Sequence, residues 1–166
     1  MNRTQYEKMT GRTRRTLARL PGGDRLLALP ACLCAACYCI LLARLLARGD
    51  ARLFRFVLVP ACCFFAATGL RRLINRPRPY DRFGLPPVGR YTPGKGRSLP
   101  SRHTASAAAI AIAVCRARPE PAVIAAMALL TAAVAALRVL SGHHDLWDVL
   151  SALALSAAIS LPGYAL

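Results

Sequence analysis

Acidic residues are scarce in this 166-residue chain, where seven Asp and Glu stand against 23 Lys and Arg and give a formal net charge of +16. No stretch gathers the several carboxylates that a protein site for Mg²⁺ needs, so we expect no metal and no other cofactor. Cys34 and Cys37 have a metal-like spacing but no second pair of ligands accompanies them. All seven cysteines lie in or at the end of apolar segments, where we predict that they pack as small hydrophobes without forming disulfides.

Basic residues alternate with long apolar runs instead of mixing with aromatic residues on one polar surface. This distribution excludes nucleic acid as the expected partner and favours a membrane protein with basic loops. The apolar runs cover residues 26–47, 56–70, 104–115, 121–137 and 149–166. A helix needs roughly 20 apolar residues to cross a bilayer, and the shorter runs approach this length if arginines at their ends snorkel. The sequence predicts an all-α, polytopic transmembrane helix bundle with about five spans.

Residues 1–25 form a basic polar N-terminal arm, and residues 26–166 a single transmembrane domain. Two interpretations of the arm remain open, an amphipathic surface helix or a disordered tail. The first apolar run has 22 residues and is longer than a typical signal-peptide core of about 7–15 residues, so we expect a retained span. The later helices are rich in Ala and Ser, which lets membrane helices pack closely.

Residues 71–102 form the longest polar connection, and its density of Pro and Gly excludes a regular helix through the middle. With five spans this connection shares one side of the membrane with the arm and with the turn at 138–148. That side carries 17 of the 23 basic residues, which predicts a cytoplasmic location by the positive-inside rule.

Polar clusters sit at three helix ends on this side, the first at residues 71–79, the second at 98–104 and the third at 137–148. In the second cluster Ser101 follows a proline and precedes an apolar helix, so its position suits an N-cap whose free N–H groups attract an anion, with Arg102 and His103 as further donors. In the third cluster His144 and Asp148 are four residues apart, and we expect them to lie on one helical face. A carboxylate bonded to one imidazole nitrogen leaves the other free as a nucleophile.

Arginine suits a bidentate grip on phosphate oxygens. We identify Arg71, Arg78 and Arg138 as candidate phosphate ligands because each lies at a helix end or in the long connection on the same side. Three other arginines of this segment are interpreted as interfacial anchors, namely Arg72, Arg76 and Arg82.

Together the three clusters resemble the signature of the type 2 phosphatidic acid phosphatase family. The first motif of that signature is matched by Arg71, six residues and then Arg78-Pro79. The second is matched by Pro100-Ser101-Arg102-His103, and the third by Arg138, five residues, His144, three residues and Asp148. Order and spacing both agree, over roughly half of the chain.

The resemblance implies a metal-independent phosphatase whose site lies at helix ends on one membrane face. It implies that His144 attacks phosphorus and forms a phosphohistidine, with Asp148 orienting it. It further implies that His103 protonates the leaving oxygen and then activates water. The phosphoryl oxygens would be held by Arg71, Arg78, Ser101, Arg102 and Arg138.

Three positions depart from the family pattern. Arg71 stands where Lys is usual and keeps the charge, while Leu137 stands where Ser is typical and removes one hydrogen bond. Arg102 stands where Gly is typical, which changes the shape of the pocket. We hypothesise that Arg102 grips a second phosphate, which would favour a diphosphate substrate.

The expected substrate is a lipid phosphate or diphosphate. Undecaprenyl diphosphate, phosphatidylglycerol phosphate, phosphatidic acid and an isoprenoid diphosphate all fit, and the oligomeric state is open. The expected location is the plasma (cell inner) membrane, although relatives that recycle carrier lipid work on its outer face. The main alternative is a non-catalytic membrane protein that binds anionic lipid headgroups through its basic loop. A transporter would place ionisable residues in mid-span, where this chain is apolar. Vanadate-dependent haloperoxidases share the site chemistry of the family but resemble larger soluble proteins, so this interpretation ranks last.

Overall fold

The structure is a computed structural model that describes residues 1–94, 96–117 and 120–165, apart from the Asp24 side chain. Within these residues it is all-helical. The predicted ends of the third and fifth runs, near residues 118 and 166, lie outside the described residues. The eight helices are α1 Arg3–Ala18, α2 Gly23–Leu26, α3 Leu29–Ala47, α4 Leu53–Ile74, α5 Pro79–Phe83, α6 Arg102–Ala117, α7 Pro121–Leu140 and α8 Leu146–Gly163.

Four helical segments of the described chain are long and apolar enough to cross a membrane. These are Leu29–Ala47, Leu53–Phe83, which includes α5, Pro121–Leu140 and Leu146–Gly163. The fifth long helix, α6, has only 16 residues. It packs against α3, α4, α7 and α8 and is the centre of the bundle, so the predicted transmembrane helix bundle is confirmed.

Small side chains explain why α6 can occupy the centre. Its buried residues are mostly alanines, which allow the backbones of neighbouring helices to approach closely where lipid provides no hydrophobic driving force. Hydroxyl groups add polar contacts at the same interface, since Ser156 of α8 donates a hydrogen bond to the carbonyl oxygen of Ala105 at 2.8 Å. A larger residue at such positions would push the surrounding helices apart.

The N-terminal arm contains a helix, α1, so of its two interpretations the helical one holds. Asn2 and Gln5 form a capping box at its start, in which each side chain bonds the other residue's backbone N–H. The inner face of α1 carries Tyr6 and Thr10, both buried, and its other face is exposed. The helix therefore lies along the bundle surface and packs against the end of α7.

Candidate active site

The His144–Asp148 pair forms, but not as two positions on one helix. Helix α8 begins at Leu146 with Asp145 as its N-cap, so the expectation that His144 lies on this helix is wrong. Gly142 ends the preceding turn with φ +79, and the backbone N–H of His144 donates to the Arg138 carbonyl at 3.1 Å. This turn brings His144 Nδ1 to 3.3 Å from Asp148 Oδ2, and both residues are buried.

Asp148 is the hub of a buried polar network. The carboxylate is fully buried. It accepts hydrogen bonds from the Ser98 hydroxyl and, at 3.0 Å, from the Asp145 backbone N–H, while Arg76 Nη1 lies 3.3 Å from its second oxygen. A buried carboxylate with this many donors stays ionised, so Asp148 can hold the Nδ1–H tautomer of His144. In that tautomer Nε2 keeps its lone pair, and it has no hydrogen-bond partner among the described residues.

Arg76 has a structural role that its interpretation as an interfacial anchor missed. Its guanidinium binds Asp145 at 2.8 Å and Asp148 at 3.3 Å. Arg82 also approaches Asp145, at 3.6 Å, so it too is more than an anchor. Ser98 was likewise not predicted as a functional residue. Its proximity to the Pro100–His103 motif is the only sequence signal that could have indicated it.

His143 is held by two neutral contacts. Its Nδ1 lies 3.0 Å from the Ser141 hydroxyl and its Nε2 lies 3.1 Å from the Arg90 carbonyl. Burial, together with the positive charge of Arg138, lowers the pKa of His143 to about 4. It is therefore neutral and fixes the turn, which agrees with the choice of His144 as the candidate nucleophile.

Burial also lowers the pKa of His144 below its ordinary 6.5, against the opposing effect of Asp148. The charges of Arg78 and Arg71 lower the pKa of His144 in the same direction as burial. At neutral pH the imidazole is thus uncharged, which is the form that a nucleophile requires.

A cavity of about 250 Å³ adjoins the loop that carries Ser98 and is lined mainly by arginines, while His144 and Asp148 are not among its lining residues. It brings together three of the predicted phosphate ligands, Arg71, Arg78 and Arg102. The full lining is Thr68, Arg71, Arg72, Arg78, Gly96, Arg97 and Arg102. Five guanidinium groups around one cavity form a site for a multiply charged anion.

Two of these arginines were not predicted as ligands. Arg72, interpreted as an anchor, lines the cavity, and so does Arg97, which has a left-handed backbone with φ +60. Arg78 Nε donates to the Gly96 carbonyl at 3.1 Å, which ties the same loop to the cavity wall. An unfavourable backbone conformation in a non-glycine residue is common at functional sites, so Arg97 joins the candidate phosphate ligands.

The remaining predicted residues lie outside the lining of this cavity. Ser101 is fully buried directly before α6, where its N–H donates to the Asp148 carbonyl at 2.7 Å and its hydroxyl accepts from Thr104. His103 is exposed and has no hydrogen-bond partner among the described residues. Arg138 and His144 are the charged or titratable groups that act most strongly on it. Both catalytic histidine candidates and Arg138 therefore share one neighbourhood.

Helix α1 packs against the turn that carries His144, the candidate catalytic turn. Tyr6 Oη lies 3.2 Å from the Leu85 carbonyl and 3.4 Å from the Gly142 carbonyl, and its ring contacts Phe83 with centroids 5.3 Å apart. Burial raises the pKa of Tyr6 to about 12, so it remains a neutral hydroxyl. The position of Gly142, two residues before His144, is thus set partly by a helix at the other end of the chain.

No three His, Cys, Asp or Glu side chains of the described chain are grouped so that they could hold a metal ion. The fold and the site together define a polytopic helical membrane protein with a buried His–Asp pair beside an arginine-lined cavity. The sequence of residues 52–166 matches the model of the PAP2 superfamily. The chain belongs to this superfamily, and its fold is that of a membrane phosphatase.

A solved structure supports the same fold. The chain is similar to the first transmembrane PAP2 type phosphatidylglycerolphosphate phosphatase from Bacillus subtilis, with a TM-score of 0.71 and 20% sequence identity. The match covers 98% of this chain and 84% of that one. No curated protein matches the chain. At this level of identity the likeness concerns the fold, and the substrate has to be argued from the site.

Proposed function

We propose that this membrane protein hydrolyses a lipid phosphate or diphosphate, without a metal ion, through a phosphohistidine on His144. The observation that carries the proposal is the state of the His144 ring. Its Nδ1 faces the buried Asp148 carboxylate at 3.3 Å, its Nε2 is free among the described residues, and burial keeps it uncharged. An arginine-lined cavity of about 250 Å³, whose lining includes Arg71 and Arg78, would hold the phosphate.

In the first step the lone pair of His144 Nε2 attacks phosphorus. The bond between phosphorus and the leaving-group oxygen breaks, and that oxygen takes its electron pair together with a proton from His103. Burial and the charge of Arg138 lower the pKa of His103 in the free protein, so the ring has to be protonated in the substrate complex to act as this donor. Asp148 holds the proton on Nδ1 and stabilises the charge that develops on the ring. In the second step His103 accepts a proton from water, the resulting oxygen attacks phosphorus, and the P–N bond breaks to release phosphate.

The positive charge of the arginines would stabilise the phosphoryl group throughout. Arg71, Arg78 and Arg97 line the cavity, and the charge of Arg138 acts on His103. Guanidinium groups can bind the three equatorial oxygens as charge develops, which is the part that metal ions play in other phosphoryl-transfer enzymes. His144 is only 2% exposed, so surrounding side chains have to move for phosphorus to reach Nε2. The buried Ser101 supports the site through its bond to Asp148.

The lipid part of the proposal follows from the location of the site. The cavity lies at the ends of α4 and α6, where a phosphate at headgroup depth can enter while its tail stays in the bilayer. We expect the protein in the plasma membrane. The excess of basic residues on the side of the site favours a cytoplasmic orientation of that side.

Purified protein should release phosphate in EDTA from at least one lipid of a panel. The panel contains phosphatidic acid, phosphatidylglycerol phosphate, an isoprenoid monophosphate and an isoprenoid diphosphate. His144→Ala should abolish release, whereas His143→Gln, which changes the neighbouring ring, should retain it. Acid-labile, base-stable ³²P label should appear on the wild-type protein only. If no lipid yields phosphate without a metal, the proposal fails, and the alternative of headgroup binding through the basic loop gains support.

A further inference from the structure

Arg102 separates two cavities of different character. One is the arginine-lined cavity described above. The other has a volume of about 340 Å³ and lies between α3, α4 and α6. Its lining is mainly apolar and consists of Ala31, Cys34, Ala35, Phe64, Arg102, His103, Ser106, Ala107 and Ile110. Of the described residues, Arg102 alone lines both cavities.

The guanidinium of Arg102 is held at this boundary by an aromatic ring. Its central carbon lies 5.4 Å from the centroid of Phe64, within the range of a cation–π contact. Thr68, one turn further along α4, lines the arginine cavity. Arg102 therefore lies against the wall of α4, between the arginine cavity and the apolar one.

The charge of Arg102 contributes differently to anion binding in the two cavities. The arginine cavity already has four other guanidinium groups around it, so a fifth adds little to the binding of one phosphate. In the apolar cavity Arg102 is the only arginine or lysine of the described lining. An anionic group placed there would depend on Arg102 alone.

The position of His103 indicates which part of a substrate would enter the apolar cavity. As the proposed proton donor it must face the leaving-group oxygen, and it lines the apolar cavity rather than the arginine cavity. The reacting phosphate would then sit among the arginines, while the leaving group and its tail would extend past Arg102 into the apolar cavity.

We infer that Arg102 is a specificity-determining residue that binds a second phosphate, carried by the leaving group. This inference rests on the proposed function. It selects lipids in which a further phosphate stands between the reacting phosphate and the apolar tail. Two kinds of lipid share this chemistry, an isoprenoid diphosphate and a glycerophospholipid with a phosphodiester inside its leaving group.

The test uses two matched pairs of substrates. Farnesyl diphosphate is compared with farnesyl monophosphate, and phosphatidylglycerol phosphate with phosphatidic acid of the same acyl chains. The measured quantity is the ratio of kcat/KM within each pair, for the wild type, for Arg102→Gln and for Arg72→Gln. Because each ratio is taken on one preparation, partial misfolding of a variant cancels.

We expect the wild type to favour the lipid with two phosphates in at least one pair. Arg102→Gln should lower that ratio at least tenfold, chiefly through KM. The pair that responds identifies the source of the second phosphate. Arg72→Gln removes a charge from the arginine cavity only, so it should slow both members of a pair to a similar extent and leave the ratio unchanged.

An unchanged ratio in Arg102→Gln would overturn the inference, and so would an equal fall of the ratio in both variants. A wild type that favours the lipid with one phosphate in both pairs would also overturn it. These results leave the phosphatase activity intact. Absence of phosphate release from every lipid would instead overturn the proposed function itself.

Discussion

Gly142 offers a sharp test of how the N-terminal helix supports the catalytic turn. Its φ is +79, and a Cβ built on it would lie 2.6 Å from Tyr6 Oη and 2.7 Å from Thr10 Cγ2. Gly142→Ala therefore carries two costs. The left-handed backbone costs about 1–2 kcal/mol for a residue with a side chain, and the overpacking against α1 costs about 1–3 kcal/mol more.

Gly49→Ala is the matched control. Gly49 has φ +60, and a Cβ there meets nothing within 4 Å, so this variant carries the backbone cost alone. The difference between the two variants isolates the contact with α1. At about 1–3 kcal/mol it should separate their unfolding temperatures by on the order of 5 °C, measured by thermal unfolding in detergent.

The two variants should also differ in activity. Displacing α1 moves the turn that carries His144, and a shift of about 1 Å near reacting atoms can cost about 100-fold in rate. We expect kcat to fall at least ~10-fold in Gly142→Ala and to stay near wild type in Gly49→Ala. Equal unfolding temperatures and equal rates in the two variants would refute the claim that α1 positions the catalytic turn.

Further predictions concern the polar network behind His144. Asp148→Asn should lower kcat by ~10³-fold, because an amide no longer fixes the Nδ1–H tautomer, and a loss below tenfold would contradict this role. Arg76→Gln removes the guanidinium that bridges the carboxylates of Asp145 and Asp148 and should destabilise the protein by about 2–3 kcal/mol in thermal unfolding, whereas a neutral effect would mean that the pairs do not form. Because burial lowers the pKa of His144, the acid limb of kcat/KM should lie below pH 6.5, and Asp148→Asn should move it to still lower pH in any residual activity; a limb above 6.5 would show that the ring is charged. His143, with a pKa of about 4, takes up a proton more readily unfolded than folded, so its contribution to stability is complete above pH 6.5 and is lost as the pH falls towards 4. His143→Gln should flatten that part of the unfolding curve.

Sequence motifs predicted the candidate site residues, but they did not indicate the residues that act only through contacts with that site. The helical bundle and the proximity of His144 and Asp148 followed from apolar run lengths and from spacing. Arg76 could not be separated from its neighbours in this way, because its partner Asp145 is 69 positions away along the chain. Ser98 is a similar case, with a partner 50 positions away. The start of α8 was misplaced because Asp145 is an N-cap whose capping box is closed by Asp148 itself.

The capping role of Asp148 explains why the His–Asp pair can be rigid. The side chain of Asp148 closes the capping box of α8, and its carbonyl accepts the N–H of Ser101, the residue that precedes α6. One residue thus ties the starts of two helices to the His144 ring. A network with every buried donor paired resists movement, whereas Arg72 and Arg97 at the cavity are exposed. We therefore expect substrate binding to rearrange the exposed arginines around a fixed imidazole. Substitutions of exposed arginines should then change KM more than kcat, and substitutions in the Asp148 network should change kcat more than KM.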